Sequence, residues 1–331
     1  MNYIGSKYKL SGFLSETIKS VVGDDLSDKT FCDIFAGTGI IGRTFKTEVN
    51  KVIANDSEFY SFVLNKNYIE NHTNFEYENL LSELNNLDGI NGFVFEEYSE
   101  NGKSNRLYFS SKNGAKIDTM RQKIETWKKE NLITDNQYYF LLCSLLESAD
   151  KVANTASVYG AFLKKIKKSA QKKLIIEPAL FSLNKNEHKV YNEDANSLIQ
   201  KIEGDILYLD PPYNARQYGA NYHLLNTIAE YKPFVPKGKT GLRSYQKSKY
   251  CSQNSVQTEF ENLIRNAKFQ YIFLSYNNEG LMSVENVNKI MQQYGKYNLA
   301  KTNYQRFKAD KTEKRNHKAD GTTEYLHILE K

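Results

Sequence analysis

Short apolar runs bounded by turn residues open the chain. Residues 30 to 35 (TFCDIF) stop at AGTGIIG, and 51 to 54 stop at Asn55-Asp56, after which SEFYSFVLNKNYIEN has the spacing of an amphipathic helix. Strand, glycine turn, helix and second strand predict the start of a doubly wound α/β sheet. The rhythm then changes. Helices are predicted over 77 to 88, 117 to 131, 135 to 151 and 158 to 175, around a stretch from 89 to 116 rich in Gly, Asn and Ser and broken by FVF and RLYF. The alternation resumes near 190 with KVYNEDA, a short helix from 196 to 202 and the strand DILYLD running into PPY. Helices follow at 220 to 231, 257 to 267 and 284 to 294, with a strand at 270 to 275. YNLAKTNYQRF and TTEYLHILE read as a final antiparallel pair joined by a charged loop. Three segments are therefore expected: 1–72, the first part of a catalytic domain; 73–188, a largely helical insertion; and 189–331, the second part.

Composition narrows the classes. The 331 residues are 40% hydrophobic and 25% charged, enough for a full core, and 45 Lys and Arg against 39 Asp and Glu give a net charge of +6 that permits an anionic partner. Cys32, Cys143 and Cys251 are widely spaced and form no C-x-x-C pair, so neither a disulfide framework nor a structural zinc site is encoded. The histidines lack the close spacing of a metal-binding helix, and no metal is expected. The amino terminus has no apolar core of signal-peptide length, and no run approaches the ~20 apolar residues of a membrane span, which predicts a cytoplasmic protein without a membrane partner. The 24 Tyr and 18 Phe are either core or stacking platforms for nucleic acid.

Two constellations carry chemistry. Gly37, Gly39 and Gly42 are spaced G-x-G-x-x-G between strand and helix, where the backbone can approach a ligand closely, and Asp56 at the tip of the next strand can accept from both hydroxyls of a ribose. The motif also occurs in nicotinamide-dependent dehydrogenases. Asp210-Pro211-Pro212-Tyr213 stands at the carboxyl end of a strand, where open α/β sheets bind ligands. Two prolines could simply end a strand. Together, though, the four residues offer a carboxylate, a backbone carbonyl at a fixed angle and an aromatic face, which suits a planar substrate with an exocyclic amino group.

With these residues in view, the chain resembles an S-adenosylmethionine-dependent DNA adenine N6-methyltransferase of the Dam-like group, the D12 class, in which the cofactor motif precedes the catalytic one. Residues 2 to 7 (NYIGSK) resemble the family's amino-terminal cofactor motif, DIFAGTG (33 to 39) its glycine motif, Asp56 its ribose-binding acid, Asp194-Ala195 its adenosine-contacting turn and DPPY its catalytic motif. The resemblance implies a Rossmann-like class I methyltransferase sheet, mostly parallel with an antiparallel carboxyl-terminal strand. It implies that Lys7 reaches the methionine carboxylate with Tyr3 nearby, and that Asp33, Phe35, Ala36, Gly37 and Gly39 hold the methionine end. Asp56 would take the ribose, and Asp194 with Ala195 the adenine. Asp194 could equally cap the helix that follows it.

On this reading adenine is flipped from duplex DNA onto Tyr213, and hydrogen bonds to Asp210 and the Pro211 carbonyl free the amino lone pair to take the methyl directly. Tyr276 is a candidate second wall. A cytosine C5 enzyme would need a cysteine nucleophile, usually after proline, and none of the three cysteines follows one. RNA and protein N-methyltransferases of the same fold usually carry Asn-Pro-Pro-Tyr, and a DNA-binding protein with a dead methyltransferase fold would have no use for an intact motif set.

Two acid-free basic runs supply the expected DNA contacts. One, from 151 to 176, carries Lys164, Lys165 and Lys168 on what would be one helix face. The other, from 232 to 258, reads as a mobile loop with Lys237, Lys239, Arg243, Lys247 and Lys249. Base reading is expected from the insertion and this loop. Double-stranded DNA is the expected partner. A cognate restriction endonuclease acting on the same site, without stable contact, would complete a type II restriction-modification system.

Overall fold

A computed structural model describes residues 7–305 and 321–331 of the chain. Contacts divide it into two compact units. Among the described residues, one comprises 7–57, 182–217, 247–305 and 321–331; the other takes 58–181 and 218–246.

The first unit is a sheet unit. Its strands are β1 (Thr30–Asp33), β2 (Lys51–Asn55), β3 (Lys189–Tyr191), β4 (Glu203–Leu209), β5 (Lys268–Asn277), β6 (Lys296–Gln305) and β7 (Gly321–Glu330). They form a seven-stranded sheet among the described residues in the order β3-β2-β1-β4-β5-β7-β6. The first five pair parallel with one another, and β7 runs antiparallel to both β5 and β6. The expected Rossmann-like sheet is thus present, with its antiparallel carboxyl-terminal pairing. Phe31, Cys32, Ile206, Leu207 and Leu209 are fully buried, because β1 and β4 lie at the centre with both faces covered. The sheet reverses its strand order between β1 and β4, and the glycine turn and the DPPY segment leave the carboxyl ends of these two strands.

The second unit is mostly helical. Its longest helices, Ser111–Lys129 and Asp135–Lys151, start on caps that the sequence supplies. Ser110 accepts from the Asn113 amide, and Thr134 and Gln137 form a reciprocal capping box. The core is rich in tyrosine. Tyr60, Tyr98, Tyr108, Tyr159 and Tyr222 are fully buried together, so much of the aromatic surplus packs this unit. His223 belongs to the same core: its Nε2 lies 3.0 Å from the Tyr159 carbonyl oxygen, and burial pushes its pKa down to about 4.

The helix expected over 158 to 175 does not form; only a 3₁₀ turn, Lys168–Gln171, is present there. The segment is an extended strap. Leu174 and Ile176 are buried while Ile175 between them is 52% exposed, a period of two rather than 3.6. Beyond that turn, much of its backbone finds partners in side chains. Asn113 donates to the carbonyls of Ala170 and Lys172 and accepts from the Leu174 amide, and Asn85 exchanges two hydrogen bonds with Ile176. Ser148 and Ser144 take the amides of Glu177 and Ala179, and Asn154 accepts from the Lys167 amide. These amides and hydroxyls replace the helical ladder as partners.

The stretch after 232 is likewise built rather than loose. Lys237 and Leu242 exchange backbone hydrogen bonds of 2.9 and 2.7 Å across a tight turn in which Gly238 and Gly241 take positive φ. The Tyr98 hydroxyl donates to the Gly241 carbonyl, and Arg106 reaches the Gly238 carbonyl while paired to Glu97. Among the described residues no helix is long and apolar enough to cross a membrane.

Candidate active site

Strand β4 ends at Leu209, and Pro211 and Pro212, lacking amide hydrogens, stop the ladder there. Asp210 is left at the strand tip, partly exposed. A lysine from the amino terminus and a glutamate from the last strand meet it. Lys7 Nζ lies 3.2 Å from Asp210 Oδ1 and 2.7 Å from Glu324 Oε1, and the Ser275 hydroxyl donates to the same Glu324 oxygen at 2.8 Å. Burial works against the Lys7 ammonium, but the charges of Asp210 and Glu324 more than reverse this and hold its pKa well above the usual value. Burial also pushes the Asp210 carboxyl up to about 6, with Lys7 pulling against it and Glu324 adding to the push.

Beside this trio stands an aromatic corner. The Tyr213 and Tyr276 rings meet edge to face at 6.5 Å, and the Lys7 ammonium is 5.8 Å from the Tyr213 ring centroid. Tyr276 is almost fully buried, whereas Tyr213 is half-open, its carbonyl accepting from the Leu281 amide at 3.0 Å. A carboxylate, a proline-fixed carbonyl and an open phenol ring thus share one strand end.

The glycine turn lies at the end of the neighbouring β1. Gly37 and Gly39 have φ of 52° and 75°, which residues with a side chain rarely adopt. Asp56 Oδ2 accepts from the Gly37 amide at 2.9 Å, so the acid at the tip of β2 fastens the turn. Phe35 is half-buried, edge-on to Tyr250 at 5.0 Å, and Ala36 is buried with its amide on the Asn55 carbonyl. Asp33 is buried, and its Oδ1 has no hydrogen-bond partner among the described residues. Burial, and then the charges of Asp210 and Asp56, hold its carboxyl well above the usual range. Asp194 is exposed and caps the helix Ala195–Leu198, its Oδ1 accepting from the Ser197 amide at 3.0 Å. Ala195 is buried beneath it.

The sheet therefore brings together Lys7, Asp33, Asp56 and Asp210 to Tyr213, with Asp194 at a separate loop of the same unit. Tyr3 lies outside the described residues. Two contributors escaped sequence reading. Glu324, 114 residues beyond Asp210, joins the site only through the pairing of β7 with β5. Asn55, fully buried, donates to the carbonyls of Ile34 and Glu193 and accepts from the Glu193 amide, tying the glycine turn to the loop that carries Asp194. Its position at the end of an apolar run, before the acid, was the available signal. No group of three or more His, Cys, Asp or Glu that could hold a metal ion occurs among the described residues.

The basic residues fall on both units. Lys164, Lys165, Lys168, Lys237 and Lys239 are exposed on the helical unit and Lys247 on the sheet unit. Two others are already paired: Arg243 with Glu230 at 2.9 Å, its guanidinium over the Phe234 ring, and Lys249 with Glu259 at 3.0 Å.

Comparison with known proteins agrees with this site. The family model described as D12 class N6 adenine-specific DNA methyltransferase matches residues 3–290. Over its full length the chain is 63% identical to Type II methyltransferase M.NlaIII of Neisseria lactamica, covering 99% of that protein. It is 39% identical to Type II methyltransferase M.CviAII of Paramecium bursaria Chlorella virus 1, with 92% of each chain covered. It is also 39% identical to Type II methyltransferase M.FokI of Planomicrobium okeanokoites, with 92% of this chain aligned to about half (49%) of that one. The chain belongs to the D12 class of N6 adenine-specific DNA methyltransferases.

Proposed function

We propose that Asp210, Pro211, Pro212 and Tyr213 are the reacting-centre residues of this DNA adenine methyltransferase, acting on an adenine turned out of the duplex, and that the enzyme is the modification half of a type II restriction-modification pair. The observation that carries the first part is Asp210, which stands at a strand end with one oxygen on a lysine and an open aromatic ring beside it.

The enzyme's methyl donor is S-adenosylmethionine, and the sheet unit fits it. The donor carries positive charge on its sulfonium and its ammonium, and Asp33 offers a buried oxygen without a partner among the described residues, at the foot of a turn whose two left-handed glycines leave the backbone bare. Asp33, Phe35, Ala36, Gly37 and Gly39 would hold the methionine end, Asp56 the ribose, and Asp194 with Ala195 the adenine. Tyr3 and Lys7 would serve the methionine carboxylate, Lys7 with an N–H beyond those aimed at Asp210 and Glu324. When bound, the donor supplies an electrophilic methyl group.

The chain's own task is to make a poor nucleophile competent. The N6 lone pair of adenine is delocalised into the ring. Asp210 Oδ2 and the Pro211 carbonyl accept the two amino hydrogens, which favours a tetrahedral nitrogen and aims its lone pair. Asp210 then receives the proton that the nitrogen must lose and passes it to solvent. Extruding the base costs about a few kcal/mol, and stacking on Tyr213 returns about 1–3. Exposed Lys164, Lys165, Lys168, Lys237, Lys239 and Lys247 serve the phosphates. Arg243 and Lys249 would do so only on leaving their carboxylates. Segment 73–188 and the stretch from 232 to 258 are the proposed readers of sequence.

The test is transfer of labelled methyl to unmethylated duplex DNA followed by digestion to nucleosides. Label is expected in N6-methyladenosine, and label in RNA or protein overturns the reading. DNA from cells expressing the enzyme should resist one type II endonuclease, the expected partner, which acts on the same site in the cytoplasm without binding the enzyme; DNA cut by all of a broad panel would sink that role.

A further inference from the structure

The mechanism leaves Glu324 without a task. It is 3% exposed, it comes from the far end of the chain, and its Oε1 receives both the Lys7 ammonium and the Ser275 hydroxyl. A buried carboxylate is costly unless paired and hydrogen-bonded, and this one is both. The order of contacts is Ser275 to Glu324, Glu324 to Lys7, Lys7 to Asp210 Oδ1. We propose that Glu324 is a positioning residue for methyl transfer: fixed by Ser275, it holds the Lys7 ammonium on Oδ1 of Asp210, which locks the carboxylate and leaves Oδ2 as the oxygen that receives the adenine amino group.

The geometry explains why one lysine stands between two acids. An ammonium held by Asp210 alone could swing with that side chain, since both would ride on a strand tip and an amino-terminal segment. Glu324 is set in β7, opposite Asn277 in the register with β5, and Ser275 lies two residues earlier on the same β5. The fixed end of the chain of contacts is therefore the sheet itself. Around Asp210 the other titratable groups among the described residues include Asp33 at the end of β1 and Tyr208 on β4, both buried; Lys7 is the cation that acts on it among the described residues.

The proposal rests on the reading of Asp210 given above, and wild-type transfer to adenine N6 tests that reading first. If it fails, the site assignment fails; if it holds, the variants test Glu324. In Glu324→Gln, kcat is expected to fall about tenfold, while DNA affinity and the fluorescence of a 2-aminopurine at the target position, which reports base extrusion, stay within about twofold. In Lys7→Met, kcat falls further, and the acid limb of its pH profile moves above about 6, because the Lys7 charge that lowers the Asp210 pKa is gone. Adding Glu324→Gln to Lys7→Met should lower kcat no further, since Glu324 acts through the lysine, and should bring the acid limb part of the way back by removing a negative charge. Ser275→Ala, a change that spares both charges, should slow transfer about two- to threefold without touching DNA affinity, and decides the matter should Glu324→Gln not fold. Additive losses in the double variant, or unchanged kcat in both Glu324→Gln and Ser275→Ala, overturn the proposal.

Discussion

In the sheet unit the charged groups hang on strand ends that the parallel ladder forces together. In the helical unit neutral amides and hydroxyls reach from helices to a strap that has no ladder of its own. Asp33, Asp56 and Asp210 each sit one position before or after a strand boundary, so a few residues of sequence carry both the fold and the chemistry. Asn85 and Asn113 lie about 60 to 90 residues from the backbone groups they satisfy, and no short motif announces them. Carboxylates gathered at β-strand tips suit a cationic donor and an amino substrate. Lysines displayed on an extended strap suit a polyanion. On the proposed reading the sheet unit would carry the reaction and the helical unit most of the grip, with Lys247 of the sheet unit beside it.

The largest expected effect lies in the sheet unit. Asp210→Ala should lower kcat by at least about a thousandfold, because both the acceptor for the amino group and the proton acceptor are lost. Cofactor affinity, measured by calorimetry, should stay within about threefold if, as proposed, the residue serves the base rather than the donor. A large loss of donor binding would break the division, showing that the acid cluster serves the cofactor alone.

Next comes the strap. Asn113→Ala removes three hydrogen bonds to a buried site and should destabilise the helical unit by about 2–3 kcal/mol, at roughly 1 kcal/mol for each bond. Hydrogen exchange should report faster opening of 168 to 176, with DNA affinity falling and cofactor affinity unchanged. Equal loss in both units would mean that they unfold as one.

A third change sharpens the assignment of grip. Replacing the exposed Lys164, Lys165 and Lys168 with Gln should leave stability alone and weaken DNA binding about tenfold at ~0.1 M salt, with a salt slope shallower by up to about 3. At saturating DNA the turnover should match wild type. An unaltered slope would remove these lysines from the interface.

How far each unit was legible follows from the same contrast. The succession of strands and helices in the sheet unit, the antiparallel final pair and the motif loops could be read because apolar runs ending in Gly, Pro or Asp are local signals. The strap was misread because LKKIKKSAQKKLII has helix-like lysine spacing, while the alternation of Leu174 and Ile176 and the side-chain partners that make it extended were out of view. Glu324 was invisible for a related reason: a glutamate in a terminal strand has no meaning until that strand is paired, and β7 enters the sheet beside β5 rather than at its edge.

The smallest expected effect separates two roles at one residue. Asp194 caps a four-residue helix through Oδ1, the structural role that its exposure and the Ser197 amide at 3.0 Å already account for. Asparagine caps as well as aspartate, so Asp194→Asn should leave the melting temperature unchanged. It replaces an acceptor oxygen with a donor and removes the charge. If the residue receives the adenine amino group of the cofactor, affinity for S-adenosylmethionine should fall about three- to tenfold, the range of one lost hydrogen bond. Asp194→Ala should add to this a loss of about 1 kcal/mol of stability from the missing cap. Should Asp194→Asn bind the cofactor like wild type while Asp194→Ala is only less stable, the residue is a cap and nothing more, and recognition of the adenine passes to the backbone of the loop that Asn55 holds in place.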